Sequence, residues 1–371
     1  MQIDKLKDVI QDCNINFLVG SGLSVPYFTT LANVELLLTD LSRNTNLDIK
    51  KKEIIRASIL GKYFENVIKQ NPSIIDDAII ETNKTKVLEN YKTFLVNLNT
   101  IVLKRKSTIL NKQVNLFTTN IDVFFEKALE ETQLEYNDGF YGRFNPIFSL
   151  TNFKKSFFKK SLHYDNTSEI PVFNLLKVHG SLTWESKEDK ILYSQLNSIA
   201  LINSKWELIK SKVIDFTTTT TFAEFERDVI GMPHDSSITD FLNEFDTLTV
   251  VDPTKEKFHD TILNLYYYEL LRVFSNEMEK ENTILFIMGF SLSDEHIREI
   301  IVRAANSNPT LVIKILAYDA PSKGNIEENI KKCNSILRYN NIDILEPATG
   351  EYYDFEAINT KVFKELVDKI D

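Results

Sequence analysis

Short apolar segments that end in polar turns constrain the fold of this chain most strongly. Four of them, at 15–19, 114–117, 172–178 and 283–288, run directly into turns rich in Gly, Ser, Thr and Asn. Between them, apolar residues recur three or four positions apart, which is typical of helices. Strands that alternate with helices predict a parallel sheet covered on both faces. We therefore expect an α/β fold with a doubly wound, Rossmann-like, mostly parallel sheet.

Weaker patterns complete this prediction. Further strands are expected at 247–251, 311–317 and 343–345, and helices at 1–13, 123–131, 255–280, 295–306 and 326–337. Residues 135–170 carry Gly, Pro and Asn punctuation and are predicted to be irregular. The helical pattern at about 35–105 and the poorly patterned stretch at about 185–245 predict two insertions into one domain over 1–345. A C-terminal helical extension is expected at 346–371.

The charge balance limits the class of partner. The 371 residues include 43 Lys and Arg against 53 Asp and Glu, which gives a formal net charge of -10. Because binding to a phosphate backbone depends on clustered Lys and Arg, direct nucleic-acid binding is not expected. One basic and aromatic stretch departs from this balance, NFKKSFFKKSLHY at 152–164. A solvated surface is its simplest interpretation, and an anionic partner is the alternative.

Cysteine usage and hydropathy indicate the compartment. The chain has two cysteines, Cys13 and Cys333, far apart in sequence. This argues for a reducing cytosol and against a disulfide framework or a zinc knuckle, so no metal is expected. No apolar run reaches the roughly 20 residues that span a bilayer. We expect a cytoplasmic protein without membrane contact.

Chemistry is expected in the four polar turns: GSGLS at 20–24, TTNID at 118–122, HGS at 179–181 and GFSLSDEH at 289–296. In open α/β sheets, ligands lie at the carboxyl ends of the strands. Gly20 and Gly22 either let the backbone approach a diphosphate, with free N–H groups on a helix after Leu23, or form only a tight turn. Asp122 is interpreted as a helix N-cap in preference to a ligand contact, and Asp294 equally as a cap or a hydroxyl-binding carboxylate.

Two side chains in these turns suit catalysis. Asn120 offers a donor and an acceptor and does not ionise, so it can hold a water and a sugar hydroxyl; an Asx-turn is the alternative. His179, at the end of a strand, suits general-base chemistry near neutral pH, and a structural role is the alternative. The other four histidines show no metal-ligand spacing.

In this order the four turns resemble the motifs of the sirtuin superfamily, in particular the sirtuin-like domains of bacterial anti-phage defence NADases. GSGLS is similar to the family's glycine-alanine-glycine-x-serine loop, TTNID to its threonine-glutamine-asparagine-isoleucine-aspartate motif, and KVHGS to its histidine-glycine motif. GFSLSDEHI and the preceding VVDPTKEKFHDTILNLYYYELL are similar to the defence branch. Ser21 replaces the family's alanine, and the paired zinc cysteines of the protein-deacylating members are missing.

The resemblance implies a site and an activity. It implies NAD+ as substrate, with Asn120 and His179 catalytic. The NAD+-binding residues that it implies are Gly20, Ser21, Gly22, Ser24, Thr119, Asp122, Gly289, Ser291 and Asp294. The implied activity is NAD+ hydrolysis to nicotinamide and ADP-ribose, as abortive anti-phage defence, in a homo-oligomer and with a HerA-type ATPase as a possible partner. A NAD-dependent protein deacylase and a module that senses NAD or ADP-ribose are the alternatives; a nuclease would need acidic metal ligands that the sequence does not reveal.

Overall fold

A parallel sheet of seven strands forms the centre of the molecule. The computed structural model describes residues 3–30, 33–107, 109–251, 261–333 and 337–370. The strands are β1 (Asn14–Val19), β2 (Gln113–Thr118), β3 (Tyr136–Asn137), β4 (Phe140–Tyr141), β5 (Ile147–Phe148), β6 (Phe157–Lys160), β7 (Thr167–Ile170), β8 (Val172–Lys177), β9 (Trp184–Lys187), β10 (Lys190–Tyr193), β11 (Thr283–Met288), β12 (Leu311–Leu316) and β13 (Ile342–Leu345). The large sheet has the order β13-β12-β11-β1-β2-β8-β3, with every neighbouring pair parallel. The predicted doubly wound parallel sheet is confirmed.

Helices cover both faces of this sheet. They are α1 (Ile3–Gln11), α2 (Val34–Arg43), α3 (Ile49–Tyr63), α4 (Asn71–Ile75), α5 (Thr82–Lys104), α6 (Phe124–Glu131), α7 (Asn197–Ile209), α8 (Phe222–Asp228), α9 (Ser236–Phe245), α10 (Thr261–Met278), α11 (Glu295–Ser307), α12 (Ala320–Lys331), α13 (Phe355–Ile358) and α14 (Glu365–Lys369). The alternation of side chains along the strands feeds two cores. In β1, Phe17 and Val19 belong to one core and Leu18 to the other.

A ladder of three asparagines, of which Asn16 and Asn174 are buried, fixes the register of β1, β2 and β8. Asn16, Asn115 and Asn174 lie side by side in the three strands. Asn115 Nδ2 donates to Asn16 Oδ1 at 2.8 Å, and Asn174 Nδ2 donates to Asn115 Oδ1 at 2.9 Å. A shift of register would leave the buried amides unpaired, which is costly. The ladder therefore aligns the turns that follow the three strands.

The strand order places the first and last polar turns next to each other. From β1 the chain moves to β2 and β8 on one side, and it then crosses back to β11 on the other side of β1. The gap between the ends of β1 and β11 is thus the topological switch point, where open α/β sheets bind ligands.

Two predicted elements differ from the structure, and the start of a third lies outside the described residues. The strand expected at 247–251 is wrong: α9 runs to Phe245, the N–H groups of Thr247 and Leu248 close turns on it, and Val250 forms a single bridge with Gly180. The helix expected from 326 starts earlier because Asp319 caps it, accepting a hydrogen bond from Ser322 N–H at 2.8 Å. The expected start of the helix at 255–280 lies outside the described residues, and its described part is α10.

The regions predicted as insertions and extension are largely helical. Residues 34–104 contain α2 to α5, and α3 packs against α9. Within 184–245, a hairpin of β9 and β10 precedes α7, α8 and α9. The last helices lie on α5, where Phe363 contacts the rings of Phe94 and Phe17. This C-terminal segment therefore packs into the core. The stretch predicted as irregular, 135–170, contains the short strands β3 to β7.

Substitution of Gly61 by alanine tests how α3 packs on α7. A Cβ at Gly61 would collide with the ring of Trp206, whereas a Cβ at Gly324 in α12 would meet nothing within 4 Å. We expect Gly61→Ala to lower the free energy of unfolding by about 1–3 kcal/mol. Gly324→Ala, the matched control, should be neutral or stabilising by up to about 1 kcal/mol. Urea denaturation of both variants measures the difference, and equal stabilities would contradict this packing.

Candidate functional site

All four polar turns line one cavity of about 700 Å³ at the carboxyl ends of the strands. This volume is within the usual range for small-molecule sites. Of the predicted site residues, the cavity is lined by Ser21, Gly22, Ser24, Thr119, Asn120, Asp122, His179, Gly289, Ser291 and Asp294. Gly20, the remaining predicted residue, does not line the cavity; its N–H donates to Met288 O. The structure thus brings together side chains that are up to 273 positions apart in sequence, from Ser21 to Asp294.

The glycines of the first turn allow its backbone to contact the last turn. Gly20 N–H donates to Met288 O and Gly22 N–H to Gly289 O, both at 3.0 Å. A Cβ on Gly20 would lie 2.5 Å from Gly289 O, and one on Gly22 would lie 2.9 Å from Gly289 Cα. Glycine is therefore required here by the approach of two loops. Contact of this turn with a diphosphate stays a prediction, and it depends most on Ser21, which faces the cavity.

The helix expected after Leu23 is wrong. Residues Ser21–Ser24 form one short 3-10 turn, and no α-helix begins among the described residues between Ser24 and Val34. Thr29 and Thr30 follow, and β-branched residues lower helix propensity.

Asn120 has one side-chain atom that the protein leaves unpaired. Its Nδ2 donates to Ser24 Oγ and to Tyr91 Oη, both at 3.3 Å. Its backbone N–H donates to Thr118 Oγ1 at 3.0 Å. Its Oδ1 is buried and accepts no hydrogen bond from the residues that the structure describes. Buried polar atoms are almost always satisfied, so this oxygen is suited to accept a hydrogen bond from a ligand or a water.

Asp122 contacts the Asn120 amide indirectly, through Ser24. Its Oδ2 accepts from Ser24 Oγ at 2.7 Å and its Oδ1 accepts from Phe124 N–H at 3.2 Å. The N-cap position of α6 belongs to Val123, so Asp122 satisfies the start of the helix from one residue earlier. Burial raises the pKa of the Asp122 carboxyl, and Lys177 counteracts this rise. Tyr91, whose hydroxyl contacts Ser24 at 3.0 Å, has a pKa raised far above its usual value by burial and then by the charge of Asp122.

A buried lysine lies beneath the Asn120 turn. Lys177, only 3% exposed, donates to the backbone carbonyl of Asp122 and lies 2.9 Å from Glu126 Oε1. Burial raises the pKa of Glu126, and the positive charge of Lys177 opposes the rise. Lys177 thereby ties the end of β8 to the turn after β2.

The side chains of His179 and Asp294 lie next to each other in the cavity wall. His179 Nε2 lies 3.3 Å from Asp294 Oδ2. Asp294 Oδ1 accepts from Ile297 N–H at 3.2 Å and caps α11, so one oxygen of this carboxylate caps the helix and the other faces the imidazole. The ring of Tyr267 lies 6.2 Å from that of His179. The pKa of Tyr267 is raised well above its usual range by burial and then by the charge of Asp294.

Several residues of the site were not predicted. Tyr91 and Tyr267 belong to helices whose apolar spacing indicates only core packing. Lys177 precedes the histidine-glycine turn, but a lysine inside a strand gives no signal of burial. A further wall follows β12 and includes Tyr318, Ser322 and Asn325. The cap sequence Asp-Ala-Pro-Ser at 319–322 signals a helix N-terminus there and could have identified this wall.

The described residues also set limits on metals and membranes. Among them, no group of three or more His, Cys, Asp or Glu side chains is placed to bind a metal ion. Within the same ranges, no helix has both the length and the hydropathy that crossing a membrane requires.

Comparison with known proteins finds likenesses to solved structures. No protein-family model and no curated protein matches the chain. A solved structure from "Structural Basis for the Mechanism and Regulation of Sir2 Enzymes" is similar over 99% of this chain and 96% of that chain, with 11% identity and a TM-score of 0.37. This likeness is too distant to assign family or function.

Removal of the Lys177 ammonium tests the support beneath Asn120. Lys177→Met leaves the buried Asp122 and the partly buried Glu126 without their counter-charge, so we expect a loss of about 3–5 kcal/mol in the free energy of unfolding at pH 7. A carboxyl whose pKa is higher in the folded than in the unfolded protein binds its proton more tightly when folded, so lower pH favours the folded state. The loss should therefore shrink at pH 5.

Urea denaturation at the two pH values measures this effect. The double variant Lys177→Met, Glu126→Gln also removes one of the two carboxylates that lack a counter-charge, and it should recover part of the lost stability at pH 7. An equal loss at both pH values, with no recovery in the double variant, would contradict the electrostatic role of Lys177.

Proposed function

We propose that this protein is a NAD+ hydrolase that cleaves the nicotinamide–ribose bond and releases nicotinamide and ADP-ribose. The observation that carries the proposal is the cavity shared by Asn120, whose buried Oδ1 accepts no hydrogen bond from the described residues, and His179, whose Nε2 lies 3.3 Å from Asp294 Oδ2. The resemblance of the four turns to sirtuin motifs supports the same assignment. The carboxamide of Asn120 can accept a hydrogen bond and the imidazole of His179 can act as a base. Both lie at the carboxyl edge of the sheet, and together they suit hydrolysis at a sugar carbon.

The charges of the cavity suit the positive end of this substrate. The lining residues that the structure describes include the carboxylates Glu35, Asp122 and Asp294 and no Lys or Arg. Positive charge grows on the ribose as the bond to nicotinamide breaks, and fixed negative groups stabilise it. The diphosphate would be held by neutral donors, chiefly the Ser21 amide and the hydroxyls of Ser291 and Ser293.

The proposed reaction needs two protein groups. The C1′–N bond breaks, and its electron pair goes to the ring nitrogen, so nicotinamide leaves as a neutral molecule. Asn120 Oδ1 accepts a hydrogen bond from a water or a ribose hydroxyl and holds it near C1′. The water oxygen bonds to C1′, and His179 takes the proton.

Asp294 acts in this scheme as a positioning residue. Because one of its oxygens is fixed by the cap of α11, the other presents a defined direction to His179 Nε2. A carboxylate in this place orients the imidazole and stabilises it when it gains a proton, as carboxylates do in hydrolytic triads.

The biological setting is proposed on the resemblance alone. It comprises anti-phage defence by NAD+ depletion, control by homo-oligomerisation, and a HerA-type ATPase as a possible partner. A NAD-dependent protein deacylase, the second candidate, would consume NAD+ only in the presence of an acyl-lysine peptide. A sensing module would bind NAD+ or ADP-ribose without releasing nicotinamide.

Nicotinamide release from NAD+ tests the proposed function directly. We expect Asn120→Ala and His179→Ala to lower kcat by at least about 10²-fold, because general-base and positioning groups contribute on this scale. The exposed residues Asn166 and His163 provide matched controls, and Asn166→Ala and His163→Ala should retain full activity. The assay uses the chain alone and together with the product of its neighbouring gene, with and without an acyl-lysine peptide.

Two outcomes would contradict the proposal. Wild-type turnover in both site variants would refute the assignment of Asn120 and His179. Turnover only with the peptide would assign the protein as a deacylase.

Replacement of Asp294 by asparagine separates its two roles. Asn is also a good N-cap, so Asp294→Asn preserves the start of α11 but removes the charge beside His179. We expect kcat to fall on the order of 10²-fold while KM changes little. Asp48→Asn, the same change at the N-cap of α3, is the control and should have no effect on kcat. Unchanged kcat in Asp294→Asn would contradict a role for this carboxylate in positioning His179.

A further inference from the structure

One segment of the chain concentrates positive charge and aromatic rings. Residues 141–164 contain five Lys or Arg, seven Phe or Tyr, and no Asp or Glu, in a chain with a net charge of -10. The negative net charge of the whole chain does not show that this segment is positively charged. The active-site proposal uses none of these side chains.

The last part of this segment forms the first strand and the turn of an exposed hairpin. The antiparallel pair β6 and β7 forms its own two-stranded sheet, and all four residues of β6 are exposed on both of its faces. Phe157 and Lys159 lie on one face and Phe158 and Lys160 on the other, since neighbouring residues in a strand alternate. The hairpin therefore presents a ring and an ammonium group on each face.

Neighbouring loops extend this arrangement. We define the basic aromatic surface as Tyr141, Arg143, Phe144, Lys155, Phe157, Phe158, Lys159 and Tyr164, all of which are exposed. Phe144 is 95% exposed and Phe158 65%, so neither ring contributes much to the core. Lys155 Nζ lies 5.1 Å from the centre of the Tyr141 ring, which shows that cations and rings share this surface.

We propose that the basic aromatic surface binds single-stranded nucleic acid. Lysines neutralise phosphates, and exposed rings stack on unpaired bases, whatever their sequence. Both groups are needed for this ligand and both are present, interleaved over one short segment. The positive charge of this surface is complementary to a polyanion. Its exposed rings favour a polyanion that also carries bases on which they can stack.

Two other occupants fit the surface less well. In a symmetric pair of copies, each copy would present the same positive surface to the other, and edge lysines such as Lys159 oppose strand pairing. An anionic membrane supplies negative charge for the lysines but no unpaired bases on which the exposed rings could stack. Both occupants are distinguished by the experiment.

The test is a titration of the full chain into a fluorescein-labelled oligothymidine of about 12 nucleotides, followed by anisotropy. We expect saturable binding that weakens as salt rises, with a slope of about 0.7 in the logarithmic plot for each phosphate contacted. Lys155→Glu, Lys159→Glu should weaken binding at least tenfold and reduce the slope. Lys154 and Lys160 are left unchanged because they already contact Glu277 and Asp165.

The aromatic contribution has its own readout. Tyr141→Ala, Phe158→Ala should weaken binding at least about fivefold and leave the salt slope unchanged, because base stacking adds affinity without counterion release. Lys5→Glu, Lys50→Glu changes the net charge by the same amount at two exposed lysines elsewhere and is the matched control. It should bind almost like the wild type.

Several results would overturn the proposal. These are no binding at low salt, equal weakening by the control variant, or equal competition by polyglutamate. Tighter binding to phosphatidylserine vesicles with the same lysine dependence would assign the surface to membranes. Lysine-dependent dimerisation without oligonucleotide binding would assign it to a second copy.

Discussion

The backbone contact between the turn after β1 and the turn after β11 determines the geometry of the site. Gly20 and Gly22 approach Gly289 so closely that a single Cβ on the first turn would collide with the second. This contact lies at the switch point of the sheet. It joins the turn that carries Ser21 to the turn that leads to Asp294.

The remaining groups are held by buried polar contacts. Ser24 Oγ accepts a hydrogen bond from Asn120 Nδ2 and donates one to Asp122 Oδ2. Lys177, at the end of β8, donates to the backbone carbonyl of Asp122. Each contact connects two different strand ends. The amide of Asn120 is thereby oriented by its nitrogen, which leaves the oxygen for a ligand. Preorganisation of this kind places a reacting group without a cost at the moment of reaction.

The sequence predicted the strands well because buried parallel strands are continuous apolar runs with clear ends. The run at 283–288 matches β11 residue for residue. The segment at 247–251, TLTVV, is also apolar and β-branched, but the end of α9 and the contact of Val250 with Gly180 determine its conformation. Tertiary contacts of this kind cannot be predicted from the hydropathy pattern of the sequence.

The same limit applies to the site. Polar turns after strands identified Asn120 and His179, because position along the strand decides which edge they reach. The pairing of His179 with Asp294 depends on a crossover of the chain and could not be derived from spacing. The net charge of the whole chain predicted no affinity for nucleic acid, yet residues 141–164 contain five Lys or Arg and no Asp or Glu. Lys177 shows that burial of a charge depends on partners that only the fold brings together.

A crystal structure of the His179→Ala variant with NAD+ is the most direct measurement of the central claim. The account predicts one dinucleotide in the 700 Å³ cavity, with the nicotinamide ribose within hydrogen-bond distance of Asn120 Oδ1 and the diphosphate beside Ser21. Density for NAD+ elsewhere on the molecule, or a dinucleotide whose ribose lies away from Asn120, would contradict it.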